Sequence, residues 1–121
     1  MNYLDYAATT PVNAEVLEVI TKEMASFGNP SSVYRIGREQ KQKIERVKKA
    51  ILSELQASPH DAIIFTSSGS EGNNLVFESI REHFAKEKGH IIVSGVEHPS
   101  VRKPAEFLAE EGFDVTYLAP N

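Results

Sequence analysis

Between an apolar run, Ala62-Ile63-Ile64-Phe65, and a stretch with Leu75, Val76, Ile80 and Phe84 on one helical stripe lies Thr66-Ser67-Ser68-Gly69-Ser70. Small residues at the mouth of a helix leave backbone N–H groups unpaired at its positive end, where they bind anions and phosphate in particular. Ser67, Ser68 and Ser70 add hydroxyl donors, and Gly69 lets the backbone approach a ligand closely. The loop matches neither G-x-G-x-x-G nor the lysine-bearing Walker pattern, so a dinucleotide or nucleoside triphosphate is not the natural inference. The same residues also read as an ordinary serine-capped helix, and alone they leave both readings open.

A second chemically able residue is His98, in Glu97-His98-Pro99, just after the apolar run Ile91-Ile92-Val93. Ligands of open α/β sheets gather at the carboxyl ends of the strands, which would set His98 on the same edge as the serine loop. Pro99 biases His98 toward an extended backbone. A surface-loop histidine is the alternative. His60, His83 and His90 have no spacing that suggests a metal, and the absence of cysteine removes disulfides, thiolate metal sites and a thiol nucleophile from this chain. Two further segments stand out. Tyr3 to Pro11 reads as an extended arm or an edge strand, and Gly28-Asn29-Pro30-Ser31-Ser32 as a loop and cap.

The elements that would position these groups follow from periodicity. Asn13 caps a first helix over about Ala14 to Ser26, with Leu17, Ile20 and Met24 on one stripe and Gly28-Asn29-Pro30 as its stop. Val33, Ile36, Ile44, Val47, Ile51 and Leu55 predict a long amphipathic helix from Ser32 to about Gln56, with an interruption at Gly37 allowed for. Ile63 to Phe65 then reads as a buried strand, Glu71 to Lys86 as a helix, and His90 to Val93 as a second buried strand. Pro99 to Glu111 is a helix stopped by Gly112, and Val115 to Leu118 a third strand. This alternation predicts an α/β fold with a mostly parallel sheet and flanking helices.

The 121 residues are enough for one domain, and 40% apolar with 25% charged residues is a globular composition. A net charge of −4, with Arg46-Val47-Lys48-Lys49 as the densest basic cluster, argues against a nucleic-acid partner. No apolar run approaches membrane-spanning length and no leader pattern opens the chain, so the expectation is a cytoplasmic protein with no membrane partner.

Taken together, Leu4 to Pro11, Asn29 to Ser32, Phe65 to Asn74 and Glu97 to Pro99 resemble, in order and spacing, the motifs of the cysteine desulfurases in the class V aminotransferase group. The resemblance implies pyridoxal 5'-phosphate (PLP) as cofactor, Gly69 and Ser70 as the residues holding its phosphate, and His98 as the catalytic histidine that stacks on the pyridine ring and assists proton transfer. It implies an arm near the substrate at Ala7 to Thr9 and a loop near a dimer interface at Asn29 to Ser32. The fold it implies is the aspartate aminotransferase-like large domain, of which residues 1–121 are the arm and the first part. The reaction implied is conversion of L-cysteine to alanine with a persulfide on the enzyme, its sulfur passing to acceptor proteins.

The sequence departs from that pattern at Ser68, where glycine is usual, at Ser70, where threonine is usual, and at Tyr34, where histidine is common. No position here matches the family's Schiff-base lysine, the aspartate paired with the pyridine nitrogen, the substrate-binding arginine or the persulfide cysteine. The expectation is therefore a truncated enzyme, inactive alone, that forms a homodimer or joins a missing C-terminal part. The resemblance also places strands from later sequence between the one at Ile63 to Phe65 and the other two. A non-catalytic dimerisation module of the same fold, or another class V aminotransferase, is the alternative.

Overall fold

Asn13 starts the first helix as expected: in the computed structural model, which describes residues 2–121, its Oδ1 accepts from the Glu15 N–H at 2.8 Å. The chain forms two compact units that meet in sequence at Ile63 and Ile64.

In the unit that runs to Ile63, α1 (Ala14–Met24) and α2 (Arg35–Glu54) are the helices. The segment before them is not the extended arm expected. Ala8 N–H donates to the Asp5 carbonyl at 3.1 Å, and the Tyr3 hydroxyl donates to the carbonyls of Asp5 (2.7 Å) and Thr9 (3.1 Å). Asp5 opens a turn, a position that favours aspartate, and the tyrosine clasps it shut. Side-chain hydrogen bonds join α2 to α1 and to the residues just after it: Lys43 Nζ reaches Glu23 Oε2 at 2.6 Å and Ser26 Oγ at 3.1 Å. The Lys43 hydrogen bond holds the Glu23 carboxyl below its ordinary range. No residue of α1 is buried.

The interruption allowed for at Gly37 does not occur, because α2 runs unbroken through it. Gly37 is instead the buried seat for the preceding loop. A Cβ built there would overlap Ser32 Oγ and the Asn29 carbonyl oxygen. That loop is itself stiff: Asn29 Oδ1 accepts from Ser31 N–H at 2.9 Å, and the Asn29 carbonyl from Ser32 N–H at 3.0 Å. Gly28, at φ +150°, makes the entry that only glycine makes without strain. Alanine normally stabilises a helix interior relative to glycine, but Gly37→Ala is expected to destabilise this unit by about 1–3 kcal/mol, because backbone must move to admit the methyl. Thermal melts of the two proteins check the sign.

In the second unit, α3 (Gly69–His83) and α4 (Pro99–Glu110) accompany β1 (His90–Ser94) and β2 (Asp114–Leu118). The two strands pair in parallel, with Ile91 opposite Val115 and Val93 opposite Tyr117. A parallel pair needs a long crossover, and α4 is it. Gly112, at φ +92°, turns the chain from α4 into β2. α4 packs on both strands and on α3, and the core is small: Val93, Ala105, Leu108 and Phe113. Only one face of the pair is covered. Ile92 and Leu118, on the other, are 61% and 56% exposed, so β1 is not the fully buried strand expected.

The strand expected at Ile63 to Phe65 is absent. Residues 61–66 are neither helix nor strand, the sheet contains only β1 and β2, and Ile64 and Phe65 are 70% and 56% exposed. An apolar run becomes a strand only where a ladder neighbour takes its backbone groups, and β1 and β2 bond to each other, not to this run. A helix nonetheless follows the serine loop, and it begins at Gly69, two residues before the expected Glu71, so that Gly69 and Ser70 form its first turn.

Candidate functional site

Ser68 is the N-cap of α3, with extended backbone (φ −163°) and its Oγ accepting from Glu71 N–H at 3.2 Å. Glu71 reaches back in return. Its Oε2 accepts from Ser67 N–H at 2.5 Å and from Ser67 Oγ at 2.6 Å, and Thr66 Oγ1 donates to the Ser68 carbonyl at 3.0 Å. This is a capping box displaced by one residue. The role of Glu71 was missed in the sequence reading, although Ser68-x-x-Glu71 carries the signature.

The box sorts the hydroxyls that the sequence left equivalent. Ser67 has given its N–H and its hydroxyl to Glu71, and Ser68 Oγ is occupied by the cap. Among the described residues, none accepts from the Gly69 or Ser70 N–H or pairs with the Ser70 hydroxyl. These three donors lie on the first turn of a 15-residue helix, where unpaired N–H groups favour an anion. A Cβ on Gly69 would meet nothing within 4 Å, and Gly69 and Ser70 are both exposed. A phosphate monoester fits such donors in number, charge and access.

The hydrogen bonds from Ser67, side chain first and backbone second, hold the Glu71 carboxyl below its ordinary value of 4.5. Because the folded value is the lowered one, the bond stabilises fully above pH 4.5 and is lost as pH falls through the folded value. Glu71→Gln is expected to remove that contribution. The stability gap between the two proteins, followed by circular dichroism in acid titrations, should be constant at neutral pH and close below pH 4.5.

His98 lies beyond the carboxyl end of β1, as expected, but as the N-cap of α4 rather than as a plain loop residue. Its Nδ1 accepts from Ser100 N–H at 3.2 Å and lies 2.9 Å from Ser100 Oγ. Ser100 Oγ in turn accepts from Asn73 Nδ2 at 2.9 Å. Asn73 is three residues after Ser70 on α3, hence on the same helix face one turn along. The second unit thus brings Gly69, Ser70 and His98 to adjoining helix N-termini, with Asn73 and Ser100 between them. Ala7 to Thr9 and Asn29 to Ser32 belong to the first unit.

A groove of about 370 Å³ between α3 and α4, lined by Phe77, Arg81, Lys103 and Phe107 among others, contains none of Gly69, Ser70 and His98. No three acidic or histidine side chains among the described residues are grouped to hold a metal ion. No described helix is long and apolar enough to cross a membrane.

Residues 2–121 match the class-V aminotransferase family. A cysteine desulfurase named IscS from Dictyoglomus turgidum is 44% identical over 117 residues, which are 96% of this chain and 29% of that protein. The human selenocysteine lyase is 41% identical over 136 aligned residues, 98% of this chain and 30% of the lyase. Among solved structures, SspA in complex with cysteine superposes with a TM-score of 0.88 at 39% identity, covering all of this chain and 35% of that one. A NifS-like protein does so with 0.85 at 33% identity, over 94% of this chain and 31% of its own. The chain therefore spans about 30% of the curated relatives it matches. Its α/β architecture is theirs, and the chain belongs to the class-V aminotransferase family.

Proposed function

We propose that this chain is the N-terminal portion of a PLP-dependent cysteine desulfurase, and that it supplies the phosphate anchor and the ring-facing histidine of the site. The observation that carries this reading is the set of three open donors, Gly69 N–H, Ser70 N–H and Ser70 Oγ, beside the His98 cap on one edge of the second unit. Bound there, PLP supplies an electron sink for the amino acid joined to it. Gly69 and Ser70 bind its phosphate, and the α3 dipole favours the dianion. His98 accepts at Nδ1 from Ser100, so the neutral ring carries its proton on Nε2, the nitrogen free to exchange one with substrate. Glu71 keeps the loop in shape without touching the ligand.

The substrate in this reading is L-cysteine, converted to alanine with transfer of its sulfur to an enzyme thiol and on to acceptor proteins. The relative in complex with cysteine and the 44% identity to a desulfurase support it. In this reading the protein is cytoplasmic and works as a homodimer or joined to the remainder of the enzyme. These 121 residues contain no cysteine, so the persulfide-bearing thiol lies outside them. Supplied with PLP and L-cysteine, the chain alone is expected to release no alanine. Joined to a C-terminal portion that carries the reactive lysine and cysteine, it is expected to do so. Alanine from the chain alone, or none from the completed enzyme, would contradict the proposal.

A further inference from the structure

The contact between Asn73 and Ser100 joins α3 to α4 through side chains 27 residues apart in sequence, both half-buried. It does more than hold two helices together, because of what the Ser100 hydroxyl does next. That hydroxyl has one proton to give. Its oxygen is the acceptor for Asn73 Nδ2 at 2.9 Å, which leaves the proton to point at the other neighbour, His98 Nδ1, also at 2.9 Å. The Ser100 backbone N–H points at the same nitrogen from 3.2 Å. Two donors converge on Nδ1, so the ring proton of the neutral imidazole belongs on Nε2.

We propose that Asn73 and Ser100 are positioning residues for His98: the Asn73 amide fixes the Ser100 hydroxyl, and the hydroxyl fixes the Nε2–H tautomer and the plane of the ring. The importance of that tautomer for the reaction rests on the functional reading above, whereas the relay itself does not. In a tautomer-scrambled ring, only part of the population would have the Nε2 proton in place for transfer.

The direction of each hydrogen bond makes the relay testable, since Asn73→Asp replaces a donor by a carboxylate that can only accept. The Ser100 proton then turns to the carboxylate, and the Ser100 oxygen presents a lone pair to Nδ1. Tautomers are read from the ring nitrogen shifts of ¹⁵N-histidine-labelled chain at about pH 9, where an ordinary histidine is neutral. His98→Gln assigns the signals, and the protein concentration is kept where the chain is associated. The unaltered chain is expected to show His98 as Nε2–H. In Asn73→Asp the ratio of Nε2–H to Nδ1–H is expected to fall by at least about fivefold, the worth of one neutral hydrogen bond.

Should Asn73→Asp fail to fold, Ser100→Ala carries the same test. It removes one of the two donors, lowers the ratio in the same direction, and is restored by Ser100→Thr, which keeps the hydroxyl. A purely structural tie between helices would alter melting temperature in these variants and leave the tautomer ratio unmoved, and that result would overturn the proposal. PLP affinity is measured separately on the same samples. A tautomer that responds in a chain that does not bind PLP upholds the relay and removes the cofactor reading. Bound PLP with an unresponsive tautomer does the reverse.

Discussion

Diluting the chain is expected to unfold it. A folded monomer of 13.4 kDa exposes about 6,500 Å², and two separately folded halves about 7,800 Å², whereas this chain exposes 10227 Å². Many large apolar side chains are exposed. α1 and α3 have amphipathic sequences and no buried residue. Val16, Leu17, Val19, Ile20 and Met24 of α1 are between 45% and 81% exposed, and the outer face of the β1–β2 pair is bare. Among the described residues, four buried apolar side chains offset little of the chain entropy lost on folding. Surfaces of this kind are covered in a stable protein, so association and folding are expected to be one equilibrium. Helical circular dichroism and melting temperature should both rise with protein concentration, with sedimentation showing the dimer at the upper end. A monomer with a sharp, concentration-independent melt would contradict this.

Gly69→Glu is expected to separate the fold from its ligand. Gly69 is the first residue of α3, and a prospective Cβ there would have nothing within 4 Å, so a side chain is accommodated. Loss of glycine from a helix and gain of an acidic group in its first turn both favour the folded state, by up to about 1 kcal/mol each. The same carboxylate stands where the phosphate would sit. Two unit charges about 4 Å apart near a protein surface repel by about 4 kcal/mol, so PLP affinity should drop at least a hundredfold. Ser70→Ala, which removes one charge-assisted hydrogen bond, should cost about tenfold or more. A Gly69→Glu protein that is equally stable and binds PLP as well as the parent would show that the phosphate is held elsewhere.

What could be read from the sequence depends on how far apart the determining residues lie. The helices were legible because their causes are local: Asn13 and Ser68 cap, Gly112 turns, and apolar positions recur at helical spacing. That Gly69 and Ser70 open a helix and that His98 follows β1 was legible from loop chemistry and from strand position, while the roles proposed for them rest on four motifs in register. The strand at Ile63 to Phe65 was not, because a strand is made by its neighbour, and β1 and β2 pair with each other instead. Gly37 was read as a weak point in α2 because its packing partners, Asn29 and Ser32, do not announce themselves in composition. The Asn73–Ser100 contact spans 27 residues and has no sequence signal at all. Glu71 is the instructive omission, since its capping signature was in plain sight and its effect is to leave Ser70 as the open hydroxyl of the loop.

Whether the α3 N-terminus holds the phosphate of PLP is decided by comparing PLP with pyridoxal, which has the same ring and aldehyde but no phosphate. Each is titrated into the associated chain while the backbone amide signals of Gly69 and Ser70 and the melting temperature are followed. PLP is expected to shift both amides and raise the melting temperature, and pyridoxal at the same concentration to do neither. Equal responses to the two, or no response to PLP at millimolar concentration, would contradict a phosphate site there.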